Sequence, residues 1–220
     1  MVKKEGEARV LTRKERERAT RRKEIIDAAE TLFSSKGFEN TTMEEIAENA
    51  EFGKPTLYSY FKSKDEILFR VHMRKHQAKI ASFRRAIAQQ GTGLEKLRAL
   101  GRAYLEFYKA NPEYLRMQVY WDYKGRAFDE FSDRLHDRML ELADSFQELA
   151  RILEVGIQDG SLRRDLDRDR TMEIFFLTLR IVLNQVLLVS PPSVSQINDT
   201  SESTYFYYLD LLMDAVRARS

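Results

Sequence analysis

Apolar residues recur at helical spacing along nearly the whole chain. Ile25, Ile26, Ala29, Leu32 and Phe33 share one stripe, which Gly37 ends. Met43, Ile46, Ala47 and Ala50 make a second, shorter one. Thr42 followed by Glu45 forms a capping box ahead of it, in which each side chain satisfies a backbone N–H at the other position. Glu51-Phe52-Gly53 then breaks the pattern, with Gly53 permitting a bend and Phe52 able to plug the angle between two helices. Lys54-Pro55 opens the next helix, since a first-turn N–H has no helical partner for proline to remove. Leu57 and Phe61 lie four apart and face a core, which leaves Lys54, Pro55, Thr56, Tyr58, Ser59 and Tyr60 on or near the outer surface. Ser63 and Glu66 make a second capping box, so another helix follows almost at once. Two short helices around a tight turn describe a helix-turn-helix, a device that reads DNA in the major groove.

Beyond residue 63 the pattern stays helical. Helices are expected at about 64–90, 94–110, a short one from Asn111-Pro112, then 128–157, 170–189 and 204–217, with a Pro/Ser-rich loop at 190–203. No strand-like alternation competes. The fold class is therefore all-α, with about nine or ten helices: an N-terminal three-helix bundle containing the helix-turn-helix, then a larger C-terminal helical domain. The expected division is 1–19 as a basic arm, 20–66 as the DNA-binding domain, and 67–220 as an effector-binding and dimerisation domain. Thr12 with Glu15 is a further capping box, so the first helix could instead begin there.

Composition narrows the classes. The 220 residues are 33% charged and include no cysteine, which excludes disulfides, thiolate metal sites and cysteine redox sensing. The N-terminus is basic without an apolar core, unlike a secretory signal. The most apolar stretch, 172–189, contains Glu173, Arg180, Asn184 and Gln185 and reads as a buried helix, not a membrane span. A cytoplasmic protein is the expectation. The net charge of +2 says little, but its distribution says more. Between Lys3 and Lys23 ten basic residues face four glutamates, an excess of six positive charges directly ahead of the helix-turn-helix. Such an arm can add phosphate or minor-groove contacts, or simply solubilise.

Residues 22–68 resemble the DNA-binding domain of the tetracycline-repressor (TetR) family of bacterial regulators. The resemblance rests on Ala28-Ala29 with Leu32-Phe33, Gly37-Phe38, Thr41-Thr42, Ile46-Ala47, the run Lys54-Pro55-Thr56-Leu57-Tyr58-Ser59-Tyr60-Phe61, and Ser63-Lys64. Two positions depart from the common pattern: Glu51 stands where glycine is frequent, and Gly53 where a capping serine is frequent. The resemblance implies a regulator of transcription that binds double-stranded DNA. It places Lys54, Pro55, Thr56 and Ser59 at base edges, and side-chain chemistry assigns Tyr58, Tyr60, Lys64 and Thr42 to phosphates.

The resemblance also implies a homodimer paired through the last two long helices. The apolar faces expected there are Val182 and Val186 with Tyr205, Leu209, Leu212 and Val216. Two recognition helices about 34 Å apart match a palindromic operator in successive major grooves. Family members further resemble one-component sensors, so a small-molecule effector is expected as a partner. Tyr104, Phe107, Tyr108, Tyr120, Trp121, Tyr123, Phe128, Phe175 and Phe176 are the candidates to line its pocket, which would suit a bulky, mostly apolar compound. Glu173, Arg180 and Asn184 share a face of an apolar helix and could be cavity groups, a polar seam in the dimer, or a solvated edge.

His72 and His76 lie four apart, but with no carboxylate on that face they read as a surface pair, so no metal or cofactor is expected. No nucleophile-base set or phosphate-binding glycine loop occurs, and the chain is not expected to be an enzyme. The leading reading is a repressor released from its operator by its effector. An activator or effector-free regulator is the alternative within DNA binding. An effector-binding scaffold without specific DNA binding is the alternative outside it.

Overall fold

The computed structural model describes residues 12–124, 147, 149–189 and 197–218. Residues 1–11 of the expected arm, Phe128 with the rest of 128–146, and 190–196 of the loop expected at 190–203 lie outside the described residues, as do the side chains of Trp121 and Tyr123. Residues 197–203 of that expected loop are instead helical and open the last helix. Among the described residues the fold is all-α. Its helices are α1 (Arg13–Lys36), α2 (Met43–Asn49), α3 (Lys54–Tyr60), α4 (Lys64–Ile87), α5 (Gly93–Ala110), α6 (Pro112–Lys124), a stretch at 149–158 designated α7, α8 (Arg168–Asn184) and α9 (Ile197–Val216). The chain divides into two compact units, Met1–Arg74 and Lys75–Ser220, and α4 carries the backbone from one into the other.

Local chemistry sets the boundaries in the first unit. Thr12 caps α1, its hydroxyl accepting from Glu15 N–H at 3.2 Å while the Glu15 carboxylate accepts from Thr12 N–H at 2.7 Å. Residues 13–19, expected in the arm, therefore form the opening turns of α1. Gly37 ends that helix at φ 84°, and its N–H donates to Phe33 O. Thr42 and Glu45 repeat the reciprocal cap for α2. At α4 the box is only half made. Ser63 Oγ accepts from Glu66 N–H, but the Glu66 carboxylate accepts from Lys62 N–H at 2.9 Å. Ile25, Ala29, Ile46, Leu57, Phe61, Ile67 and Leu68 close the core beneath these helices.

Glu51 adopts φ 57°, the left-handed conformation, in the turn between α2 and α3. An L side chain is strained there by Cβ crowding, and glycine is not. Glu51→Gly is expected to raise unfolding stability by about 0.5–1 kcal/mol, read as a higher urea midpoint at unchanged slope. A lower midpoint would mean that Glu51 makes a compensating interaction in this turn.

In the second unit α5 packs on α6, α8 and α9, and α8 packs on α9. Thr92 and Glu95 cap α5 reciprocally. Leu97, Leu100, Tyr108, Tyr114, Leu153, Met172, Leu179, Leu183, Tyr205 and Met213 are fully buried between these helices. α8 ends in a π-helical turn, Gln185–Val189. The chain after α9 is held to the turn after α7 by Arg163 N–H to Val216 O at 3.0 Å and Ala218 N–H to Ser161 O at 3.1 Å. Among the described residues no helix is long and apolar enough to cross a membrane.

Candidate functional site

α3 is a short helix with two unlike sides. Leu57 and Phe61 are completely buried, while Lys54, Pro55, Tyr58 and Ser59 are exposed and Thr56 and Tyr60 half-buried. The exposed positions follow the helical repeat, so they form one outward face. Its base is held firmly. The Arg22 guanidinium lies 4.4 Å from the Phe61 ring centre, donates to Tyr60 O and pairs with Glu66, each at 3.4 Å. Arg18, one turn earlier on α1, lies 5.7 Å from the Tyr60 ring centre. Neither arginine was singled out from the sequence. Their signal was the basic run itself, which becomes specific only once α1 lies along α3.

The expected phosphate contacts are placed unevenly. Tyr58 is 46% exposed. Lys64, by contrast, turns inward: Nζ donates to Phe38 O and Thr41 O, both at 2.7 Å, and lies 4.3 Å from the Phe38 ring centre. It therefore ties the α1–α2 connection to the start of α4. The N–H and hydroxyl of Thr42 both donate to Glu45, at 2.8 and 3.0 Å, so the start of α2 carries a carboxylate of its own. The Lys36 ammonium and the Thr42 donors hold the Glu45 carboxyl down to about 2. Lys54 ion-pairs with Glu44 of α2; the shared hydrogen bond lowers the Glu44 pKa and raises that of Lys54. Any anion that recruits Lys54 must take it from Glu44.

The second unit contains a cavity of about 340 Å³. Ile80, Phe83, Tyr104, Leu149, Phe176 and Leu177 make its apolar wall. Three of these rings are stacked, Phe83 lying 5.7 Å from Tyr104 and 6.2 Å from Phe176, centre to centre. His76, Lys79, Gln118, Glu173 and Arg180 supply polar groups. Of the aromatic residues expected at a pocket, Tyr104 and Phe176 line this one. Phe107, Tyr108 and Phe175 are packed in the core, and Tyr120 is half-buried away from the cavity wall. Of the three polar residues of α8 left open between roles, Glu173 and Arg180 line the cavity. His76, read from sequence as part of a surface pair, lines it too, with Nδ1 3.3 Å from Tyr114 Oη. Lys79 and Gln118 were not anticipated. The available signal was Lys79 itself, a charge in helical register with the apolar Phe83.

The apolar surface of α8 and α9 also differs from expectation. Tyr205 and Leu209 are buried in their own protomer, where Tyr205 Oη donates to Gly101 O at 2.7 Å and Leu209 packs over Gly101. Val182, Leu212 and Val216 are half-buried against the same core, and Val186 is half-buried in the π-helical turn. The exposed large apolar residues are instead Ile174, Leu177 and Ile181 on α8 and Tyr207 and Leu211 on α9.

The profile of bacterial regulatory proteins of the tetR family matches residues 25–71, which span α1 from its buried half to the first turns of α4. The chain is 30% identical over 153 residues to the HTH-type transcriptional repressor KstR2 of Mycolicibacterium smegmatis, an alignment covering 69% of this chain and 72% of that one. This chain belongs to the TetR family. The regulator is also 27% identical over 168 residues to the HTH-type transcriptional activator FasR of the same organism, covering 71% and 77%. Its fold is similar to that of the fatty acid degradation regulator FadR from Bacillus halodurans, with a TM-score of 0.65 at 20% identity over 90% and 97% of the two chains. It is a DNA-binding regulator of transcription, and the helix-turn-helix formed by α2 and α3 is its DNA-reading element.

Proposed function

We propose that the regulator represses transcription as a homodimer on a palindromic operator and is released when a small, largely apolar effector enters the cavity of its second unit. The observation that carries the effector part is the cavity itself, apolar on most of its wall and provided with a few convergent polar groups. The apolar residues left exposed on α8 and α9 support pairing of two copies there. On DNA, Lys54, Pro55, Thr56 and Ser59 meet base edges, and Tyr58 and Tyr60 hold phosphates. Lys64 and Thr42 act through the domain, stiffening the start of α4 and of α2 behind the recognition helix. Effector and operator oppose each other because the effector favours a conformation that binds DNA poorly. By linkage the operator weakens effector binding by the same factor.

The test is selection of bound duplexes from a random library at physiological salt. Enrichment of an inverted repeat is expected, with Lys54→Ala plus Tyr58→Ala lowering affinity for it by about 100-fold. Binding without an enriched repeat, or enrichment indifferent to those substitutions, would remove α3 as the reading helix. The sign of regulation follows operator position. The relative named an activator makes the opposite sign a real second reading, which a reporter driven by the selected operator distinguishes.

A further inference from the structure

We infer that the cavity is built for an acid: a carboxylate head on an apolar body, with Lys79 as its buried counter-charge and Arg180 as the second cation. This rests on the effector reading above and names the chemistry of the effector. Lys79 is only 7% exposed, and lysine is rarely buried without a partner. Its Nζ lies 3.5 Å from Tyr108 Oη, and 5.3 and 5.8 Å from the ring centres of Tyr114 and Tyr108. Neither tyrosine is an anion. Burial pushes both phenols above their ordinary range, so neither supplies a negative charge near neutral pH. Among the described residues no carboxylate pairs with Lys79, and the charge that acts on it most is the like charge of Arg180.

An ammonium left only 7% exposed on the wall of a largely apolar cavity is destabilising until an anion joins it. Glu173, the acid of the lining, is exposed on α8 and makes no ion pair with Lys79. The ligand's carboxylate would accept from Lys79 Nζ and Arg180, while Ile80, Phe83 and Phe176 cover its apolar body. Burial, and then Arg180, push Lys79 down to about 7, so anion binding above that pH takes up a proton. The other polar and titratable groups around the lysine are His76 on α4, Tyr104 and Tyr108 on α5, Tyr114 and Gln118 on α6, and Glu173 and Arg180 on α8.

The experiment is displacement of Nile red, a neutral apolar dye, from the full-length protein by decanoate and by decanol. Decanoate is expected to displace it about 30-fold more tightly than decanol below neutral pH, and Lys79→Met to shrink the gap to about 3-fold with decanol unchanged. Raising the pH by about two units above neutrality should weaken decanoate about 10-fold or more and leave decanol flat. Arg180→Gln should weaken decanoate selectively as well, which guards against a fold-specific effect of one variant. Equal displacement by acid and alcohol would overturn the inference while leaving the effector reading intact, and would assign the counter-charge of Lys79 to the protein itself. A pH slope surviving in Lys79→Met would also overturn it, since a group other than Lys79 would then carry the response. Failure of Nile red to bind would remove the cavity as an effector site, and both readings with it.

Discussion

Lys79→Met is expected to stabilise the ligand-free regulator near neutral pH by on the order of 3–5 kcal/mol, an unusual direction for a core substitution. In the unfolded chain a lysine keeps its proton to 10.5, whereas in the folded chain burial lets Lys79 release it at about 7. Between those values the unfolded state binds more protons, so the stability tied to this group rises with pH. It is fully present above the unfolded value and is lost as pH falls to about 7. Methionine fills similar space without a charge to desolvate. Its advantage should be greatest at and below neutrality and should vanish as the pH approaches 10.5. Denaturant unfolding across that range checks the slope. A variant less stable than the parent at neutral pH would show that the ammonium is satisfied in the folded protein. The same substitution is expected to impair binding of an acid.

Gly93→Ala is expected to lower stability by about 3 kcal/mol or more. At the start of α5 the Gly93 Cα faces the backbone of Gly156 in α7, and an added Cβ would overlap Gly156 Cα and N. Backbone atoms cannot rotate away, so the two helices must separate. Separation also strains the bonds that seat α5, from Gly93 N–H to Asp159 Oδ2 at 2.7 Å and from Leu94 N–H to Ser161 Oγ at 3.1 Å. Gly101→Ala makes the contrast, because the nearest atoms to its new methyl belong to the Leu209 side chain and not to backbone, and a side chain can shift at lower cost. Native-state amide exchange reads the outcome: protection should fall in α5 and α7 and persist in α2 and α3. A melt unchanged from the parent would mean that the α5–α7 approach is looser than the structure has it.

The helix-turn-helix was legible because each of its boundaries is a local event. A threonine and a glutamate three residues apart meet on any helix start, so Thr42 with Glu45 could be read directly. The same rule at Thr12 extended α1 through a stretch otherwise read as a flexible arm. At Ser63 the rule was half right. The Glu66 carboxylate found Lys62 N–H instead, because Arg22 draws the same side chain towards α1. Lys64 shows the limit more plainly. A lysine beside a DNA-reading helix suggests a phosphate clamp, but three carbonyl oxygens gather under it from residues more than twenty positions earlier.

The sequence by itself determined the all-α class and the helix-turn-helix, since helical periodicity and capping act over three or four residues, and the motifs of residues 22–68 carried the resemblance to a DNA-binding family. Where a helix is apolar on more than one face, tertiary structure alone decided which side turns inward. α9 carries apolar residues on more than one face, so periodicity could not choose between Tyr205 with Leu209, which serve the core, and Tyr207 with Leu211, which stay exposed. The cavity was decided in the same way. Lys79 and Arg180 lie about a hundred residues apart on separate helices, and only the packing of α4 against α5, α6 and α8 brings them to one wall and removes the water between them. Desolvation depends on every neighbour at once, and no local pattern encodes it.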